Sequence, residues 1–364
     1  MTALVVQTAF LGDVILTTPL LAAVAARHGP VDVVTTPAAA PLLETHPAVR
    51  RVIPYDKKGK DRGLGALLRL ARRLRAERYE IAYLPHRSLR TAALAWAARI
   101  PRRVGFRGPW AALYTETRRR LPGPRIALGI HSATQDVGEP VTALHAPLGT
   151  HESARLLVLA DHTGPPPRPS LHPTKADEAA VMAVLEEGGI EGDFVALAPG
   201  SIWGSKRWPY YGDLARWLSR RTSVVVVGGP EDVPLGEEIE RAVGGDGQQV
   251  VNACGKLTLR QSAALIGLAT LLVTNDSAPL HLASAMGTRV LAIFGPTIAE
   301  FGFGPVGEQD IVMGVRGLWC RPCHRHGPPA CPLPHVMAHR CMRALGSDYV
   351  ESAIEEAGAL HRRD

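Results

Sequence analysis

The chain has 364 residues, 46% hydrophobic and 21% charged, a length suited to two α/β domains and a composition that excludes a disordered protein. No apolar run reaches bilayer length, the N-terminus lacks signal-peptide features, and the cysteine count is odd at five. A membrane-spanning or disulfide-framed protein is therefore not expected, and the cytoplasm is the default location. The net charge of +7 points either to an anionic partner or to solubility charge alone. The base concentrates at 57–60, 69–78 and 118–120.

In chain order, β-rich runs at 4–6, 31–34, 52–53 and 80–84 alternate with helical segments at 13–27, 38–44, 64–78 and 89–99. Such alternation predicts a parallel, doubly wound sheet. Residues 107–150, rich in Pro, Gly, His and Arg, read as loops over a site or a flap. The stretch 161–170 carries four prolines and reads as an extended linker. Alternation then restarts, with strands at 194–198, 223–227, 250–251, 271–274 and 290–294 and helices at 211–220, 235–243, 259–267 and 278–286; a last helix is expected over 348–361. Two Rossmann-like halves joined by a Pro-rich segment have the layout of a GT-B glycosyltransferase, with the site expected in a cleft faced by both halves. The expected division is an acceptor-binding domain over 1–165, a linker region over 166–190 and a nucleotide-sugar-binding domain over 191–346. A C-terminal helix over 347–364 is a candidate to pack back on the first domain.

Ligands of such sheets bind beyond the carboxyl ends of the strands, so the loops that follow strands deserve scrutiny. After the first strand, Gly12 permits a tight turn and Asp13 opens a helix. Asp13 reads either as a cap or as a general base. The dinucleotide fingerprint G-x-G-x-x-G is absent from this loop, which disfavours an NAD enzyme. The loop 198–209 contains Gly, Ser, Lys206 and Arg207. Backbone and hydroxyl donors beside cations suit a diphosphate, although the P-loop pattern does not match. Glu231 and Asp232 follow another strand, where a carboxylate can accept ribose hydroxyls or cap a turn. Finally, Asp276, Ser277 and His281 run from a strand into a small-residue helix, bringing carboxylate, hydroxyl and imidazole to one loop.

These stretches carry a family resemblance. Residues 275–297, from Asn-Asp-Ser-Ala-Pro-Leu-His to Phe-Gly-Pro-Thr, resemble the signature of glycosyltransferase family 9, the ADP-heptose:lipopolysaccharide heptosyltransferases. Residues 11–19, 206–209 and 255–259 resemble three further motifs of that family in the same order. The resemblance implies a GT-B fold, an ADP-sugar donor, and inversion at the anomeric carbon with no cofactor required for catalysis. It implies that Asp13 is the base, that Lys206 and Ser201 meet the donor phosphates, and that Glu231 holds the ribose, with Asp232 its neighbour. It further implies that the backbone near Leu257 meets adenine, that Asp276 binds sugar hydroxyls, and that Ser277, Ala278 and His281 line the diphosphate. The acceptor would be a phosphorylated, lipid-linked oligosaccharide at the inner face of the cytoplasmic membrane, with the enzyme peripheral to that membrane. One departure stands out. The family often has Gly where Ala278 stands, and Ala loses access to positive φ.

Cys320, Cys323, Cys331 and Cys341 crowd one segment, with His324, His326, His335 and His339 between them. The first pair has metal-ligand spacing, so the four thiols read either as a structural zinc site or as reduced cysteines in a compact loop. Similar Cys-rich segments occur in heptosyltransferase II-like members of the family. Two other function classes compete with heptose transfer. One is a GT-B enzyme using another nucleotide sugar, such as a UDP-sugar transferase or an epimerase. The other is a non-enzymatic nucleic-acid-binding protein, suggested by charge alone. With 5% aromatic residues and no aromatics interleaved on a basic face, nucleic acid is not an expected partner.

Overall fold

The structure is a computed structural model that describes residues 2–123, 139–144, 151–244, 250–334 and 338–360. The chain divides into two compact units, one made of residues 1–122 and 148–172, the other of residues 123–147 and 173–364.

The first unit is built from β1 (Ala3–Gln7), α1 (Leu11–Ile15), α2 (Thr18–His28), β2 (Val31–Thr35), α3 (Ala40–Leu43), β3 (Val49–Pro54), α4 (Leu64–Ala76), β4 (Ile81–Leu84), α5 (Leu89–Ala97), β5 (Arg102–Phe106), β6 (Glu116–Arg118) and α6 (Glu152–Leu157). Its six strands are parallel, in the order β3-β2-β1-β4-β5-β6. Both faces are covered, so β1 and β2 are buried throughout; β2 carries a buried Asp32 paired with Arg50 and Arg51. The period of two still sorts both strands. Ala3, Val5, Val31 and Val33 meet Leu20, Leu21 and Val24 of α2 on one face. Leu4, Val6 and Val34 meet Leu67, Leu70 and Leu74 of α4 on the other.

The single helix expected over 13–27 is two helices. Pro19 sits in the first turn of α2, where its missing N–H costs nothing and its ring stops the preceding helix. Thr17 Oγ1 donates to Asp13 O at 2.6 Å and Thr18 Oγ1 to Ile15 O at 2.8 Å, satisfying carbonyls that the break orphans.

The second unit begins with β7 (Glu139–Leu144) and α7 (Lys175–Glu187), then β8 (Phe194–Ala198), α8 (Tyr211–Leu218), β9 (Ser223–Val226), α9 (Val233–Val243), β10 (Val250–Asn252), α10 (Leu259–Leu268), β11 (Leu271–Asn275), α11 (Ala278–Met286), β12 (Arg289–Phe294), β13 (Ile311–Arg316), α12 (Arg340–Arg343) and α13 (Ser347–Glu356). The strand order is β10-β9-β8-β11-β12-β13-β7, parallel except for β7, which runs antiparallel on β13. Each unit thus repeats the Rossmann order, with the reversal point beside its first core strand, where ligands of such sheets bind.

Two further differences from the sequence expectation have physical causes. The stretch 107–150 is not all loop: β6 and β7 lie in it, while 124–138 and 145–150 fall outside the described residues. Both are edge strands, which lack the two-sided burial that makes a strand legible. The stretch 166–190 contains α7, started by a capping box in which Thr174 Oγ1 accepts the Asp177 N–H at 3.2 Å. The expected C-terminal helix is α13, which packs on α8 with Val350, Ala353 and Ile354 buried in the core of the second unit.

Candidate active site

In the first unit the loop after β1 leads into α1, and Asp13 occupies the first turn of that short helix. Its Oδ2 accepts the Phe10 N–H at 3.2 Å, which is the capping role. Its surroundings add something a cap does not need. Burial, and then the negative charge of Glu152, push the Asp13 carboxyl up to about 6, against smaller opposing contributions from the Phe10 N–H and Arg120. Asp13 has no cation within ion-pair distance among the described residues. Glu152 is itself buried and held by Arg120 and by Arg155, the latter at 3.3 Å. The result is a half-buried carboxylate, ionised at neutral pH yet more basic than usual, which is what a general base requires. Glu152 was invisible to the sequence reading because it lies 139 positions from Asp13, in a region with no motif.

Beyond the carboxyl end of β1, Lys57 Nζ donates to Thr8 O at 2.5 Å, and Thr8 Oγ1 meets His86 Nδ1 at 3.1 Å. Burial, helped by the Lys57 charge, drives His86 down to about 4, so its ring is neutral at pH 7. Of these three, only Lys57 carried a sequence signal, as part of a basic run.

The second unit gathers more of the expected residues. Lys206 is buried, and its Nζ donates to Asp276 Oδ2 at 2.5 Å and to Asp276 O at 3.1 Å. Thr297 Oγ1 donates to the same Oδ2 at 2.6 Å. These groups lie beyond the carboxyl ends of β8, β11 and β12, where three loops meet. Asn275 fastens two of those loops. Its Nδ2 donates to Pro199 O at 2.8 Å, and its Oδ1 accepts the Trp208 N–H at 3.1 Å. Ser277 is the N-cap of α11, but its side chain makes no cap bond, and its buried hydroxyl finds no partner among the described residues. An orphaned hydroxyl at a helix N-terminus, one residue from a buried ammonium's partner, is suited to an anionic ligand.

The remaining expected residues take varied positions. Ala278 is the first residue of α11, and among the described residues the positive-φ non-glycines are Arg78, Arg99, Asp161 and His339. The Gly-to-Ala departure therefore costs no backbone strain at 278. His281 is buried on α11, edge-on to Phe303 with ring centroids 6.4 Å apart. Ser201 Oγ accepts the Trp203 N–H at 3.3 Å, and its carbonyl accepts Arg207 at 3.0 Å. Glu231 is exposed, whereas Asp232 is buried and accepts the Gly229 N–H at 3.1 Å. A Cβ at Gly200 would collide with the Asp232 carboxylate, so Asp232 touches the start of the 199–208 loop. Burial and then the neighbouring Glu231 raise the Asp232 carboxyl. Leu257 is half-buried in the loop before α10.

The Cys-rich segment lies against this site. A Cβ on Gly327 (φ +89°) would stand 2.7 Å from Lys206 Cε, so that glycine is packed against the lysine stem. Ser205 Oγ donates to Pro328 O. Arg321 donates to the carbonyls of Gly295 at 2.7 Å, Val315 at 2.9 Å, Phe294 at 3.0 Å and Thr297 at 3.2 Å, tying the segment to the end of β12. Cys320, Cys323, Cys331 and Cys341 all line one cavity of about 20 Å³, and the His339 N–H donates to Cys331 Sγ at 3.4 Å. Among the described residues no three His, Cys, Asp or Glu side chains stand together as a metal set; His335 lies outside those residues.

Two doubly wound parallel units, the second holding a buried ammonium and a helix N-terminus beyond its strands, define a protein of the nucleotide-sugar glycosyltransferase class. Comparison with known proteins is specific. The glycosyltransferase family 9 (heptosyltransferase) model matches residues 67–332. Lipopolysaccharide heptosyltransferase 2 of Salmonella typhimurium is 28% identical over 311 residues, covering 83% of this chain and 84% of that protein. Lipooligosaccharide heptosyltransferase 2 of Haemophilus influenzae is 29% identical, with 74% and 76% covered. The solved E. coli ADP-heptose lps heptosyltransferase II superposes with a TM-score of 0.73 at 22% identity, covering 98% of each chain. The chain belongs to glycosyltransferase family 9, and it has the fold of that family's solved members.

Proposed function

We propose that the chain transfers a heptose from ADP-heptose to a lipopolysaccharide inner-core acceptor, with inversion at the anomeric carbon. The observation that carries this reading is the buried Lys206–Asp276 pair beside the orphaned Ser277 hydroxyl, together with the names of the relatives matched along most of the chain. In the step itself, the acceptor oxygen forms a bond to the anomeric carbon and the Asp13 carboxylate takes its proton. The bond from that carbon to the diphosphate oxygen breaks, and ADP leaves with the electron pair. Negative charge grows on the leaving diphosphate, and Lys206 with the N-terminus of α11 meets it in a site already organised for it. Ser201, Ser277 and Ala278 complete the phosphate contacts, with His281 behind them. Glu231, or the adjacent Asp232, accepts ribose hydroxyls; the backbone near Leu257 meets adenine; and Asp276 orients the sugar.

The acceptor in this reading is phosphorylated and lipid-linked, so the enzyme works as a peripheral protein at the inner face of the cytoplasmic membrane. Among the described residues no helix is long and apolar enough to cross a membrane. No metal enters the step, and turnover is expected to survive EDTA. Structural zinc on Cys320, Cys323, Cys331 and Cys341 is a separate proposal that requires the thiols sharing one cavity to close on a single ion. About one zinc per chain by elemental analysis supports it, and metal-free protein with four titratable thiols in this segment removes it.

The deciding experiment is thermal shift followed by a transfer assay. A ligand that binds the native state raises the melting temperature, so ADP and ADP-heptose are expected to stabilise the protein well above UDP. A larger shift with UDP-sugars would reassign the donor.

A further inference from the structure

We propose that the groove between α4 and α5 of the first unit is a docking surface for an anionic phospholipid bilayer. The groove has a volume of about 600 Å³. Leu68, Arg72 and Arg75 of α4 line one side, and Trp96, Arg99 and Arg103 the other. Spacings of four and three put the α4 residues on one stripe of that helix, away from Leu67, Leu70 and Leu74, which it buries in the core. Trp96 is 57% exposed and Leu68 39%, and Leu64 and Leu89, on the same two helices, are 70% and 47% exposed. Large apolar side chains gathered on one outward face are not explained by folding.

Charge decides the partner. Neither α4 nor α5 contains a carboxylate. None of the four groove arginines makes an ion pair among the described residues, and Arg103 instead donates to the backbone carbonyls of Leu113 and Ile100. Four uncompensated guanidiniums around a Trp- and Leu-bearing floor complement a surface that is anionic at its headgroups and apolar just beneath. Trp settles at that boundary, and arginine stems lie along apolar surface while their heads reach phosphate. The groove shares no residue with the Asp13 or Lys206 constellations. The inference rests on the membrane location in the proposed function and adds the surface that meets the membrane.

The test is co-sedimentation of the full chain with phosphatidylcholine vesicles made with and without phosphatidylglycerol. The wild type is expected to partition to the anionic vesicles and to be released by salt. Arg72→Gln with Arg75→Gln is expected to lower the partition coefficient roughly 25-fold, about fivefold for each charge removed near the surface. Trp96→Ser is expected to weaken binding to the same vesicles without changing its salt dependence. Both changes lie at exposed positions, and unchanged melting curves and ADP-induced shifts would verify an intact fold. Wild-type partitioning by both variants overturns the proposal, as does equal binding to the two vesicle types. Inhibition of vesicle binding by duplex DNA but not by inorganic phosphate, with DNA affinity lost in the same variants, also overturns it and marks the groove as a nucleic-acid surface. Failure of ADP to stabilise the wild type would strike the donor assignment and leave the vesicle result standing.

Discussion

Each unit holds an acidic residue one loop beyond a core strand, and the two are treated in opposite ways. Asp276 in the second unit is compensated: Lys206 and Thr297 both donate to one of its oxygens. Asp13 in the first unit has one donor among the described residues, the Phe10 N–H, and burial, followed by the negative charge of Glu152, raises it to about 6. A compensated carboxylate holds things in place, whereas an uncompensated one stores basicity. Under the proposed function, binding belongs to the second site and proton transfer to the first, and the contrast can be broken experimentally.

The largest effect is expected from Asp13→Asn. The amide keeps the shape and much of the cap but cannot take a proton, so kcat should fall by about a hundredfold or more, with ADP affinity nearly unchanged. Because the folded-state value lies above that of the unfolded chain, the ionised carboxylate at neutral pH costs the fold stability, and the amide removes that cost. The melting temperature should rise while activity collapses. Wild-type turnover in this variant, measured with a confirmed acceptor, would reduce Asp13 to a cap.

Lys206→Ala should act on binding as well as on rate. Losing a charge-assisted contact to the phosphates corresponds to about ten- to a hundredfold in donor affinity, and Asp276 loses its buried counter-charge as well. Titration with ADP separates this variant from Asp13→Asn. If ADP affinity were unaffected, Lys206 would be a structural partner of Asp276 alone.

Gly327→Ala sharpens the second half of the comparison. The new methyl group meets the Lys206 stem, so donor affinity should weaken by roughly severalfold, within the cost expected for overpacking. In a Lys206→Ala background the same change should add little, because pairs acting through one contact are not additive. Gly192→Ala is the matched control, since it shares a positive φ of +86° but has open space around its Cβ position. Equal losses from both glycine changes would trace the effect to backbone strain.

The smallest effect is a shift in pH dependence. The active form of Asp13 is the deprotonated one, so activity should fall tenfold per pH unit below about 6 and level off above it. Glu152→Gln removes the repelling charge and leaves Arg120 nearby, and both changes favour ionised Asp13. The acid limb should therefore move to lower pH, and an unmoved limb would separate Glu152 from the base.

Most of the chain order of strands and helices was legible in the sequence, as were the polar loops after strands that hold Lys206, Asp276 and Ser277, whereas the interior strands β5 and β13 were missed. Each legible feature follows from a local pattern: β-branched runs, helical spacing and polar residues directly after a strand. Edge strands β6 and β7 were not legible, because a strand without two buried faces leaves no apolar signature. The environment of Asp13 was equally hidden, since Glu152, held by Arg120 and Arg155, comes near it only when distant segments fold together. The same holds for Thr297 on Asp276, Asn275 between two loops, Gly327 on Lys206 and the facing stripes of α4 and α5. A local pattern determines which elements form, because hydrogen bonding and burial repeat along the chain. Charge compensation and close contact depend on distance through space, and only the tertiary structure decided which carboxylate would be paired and which left basic.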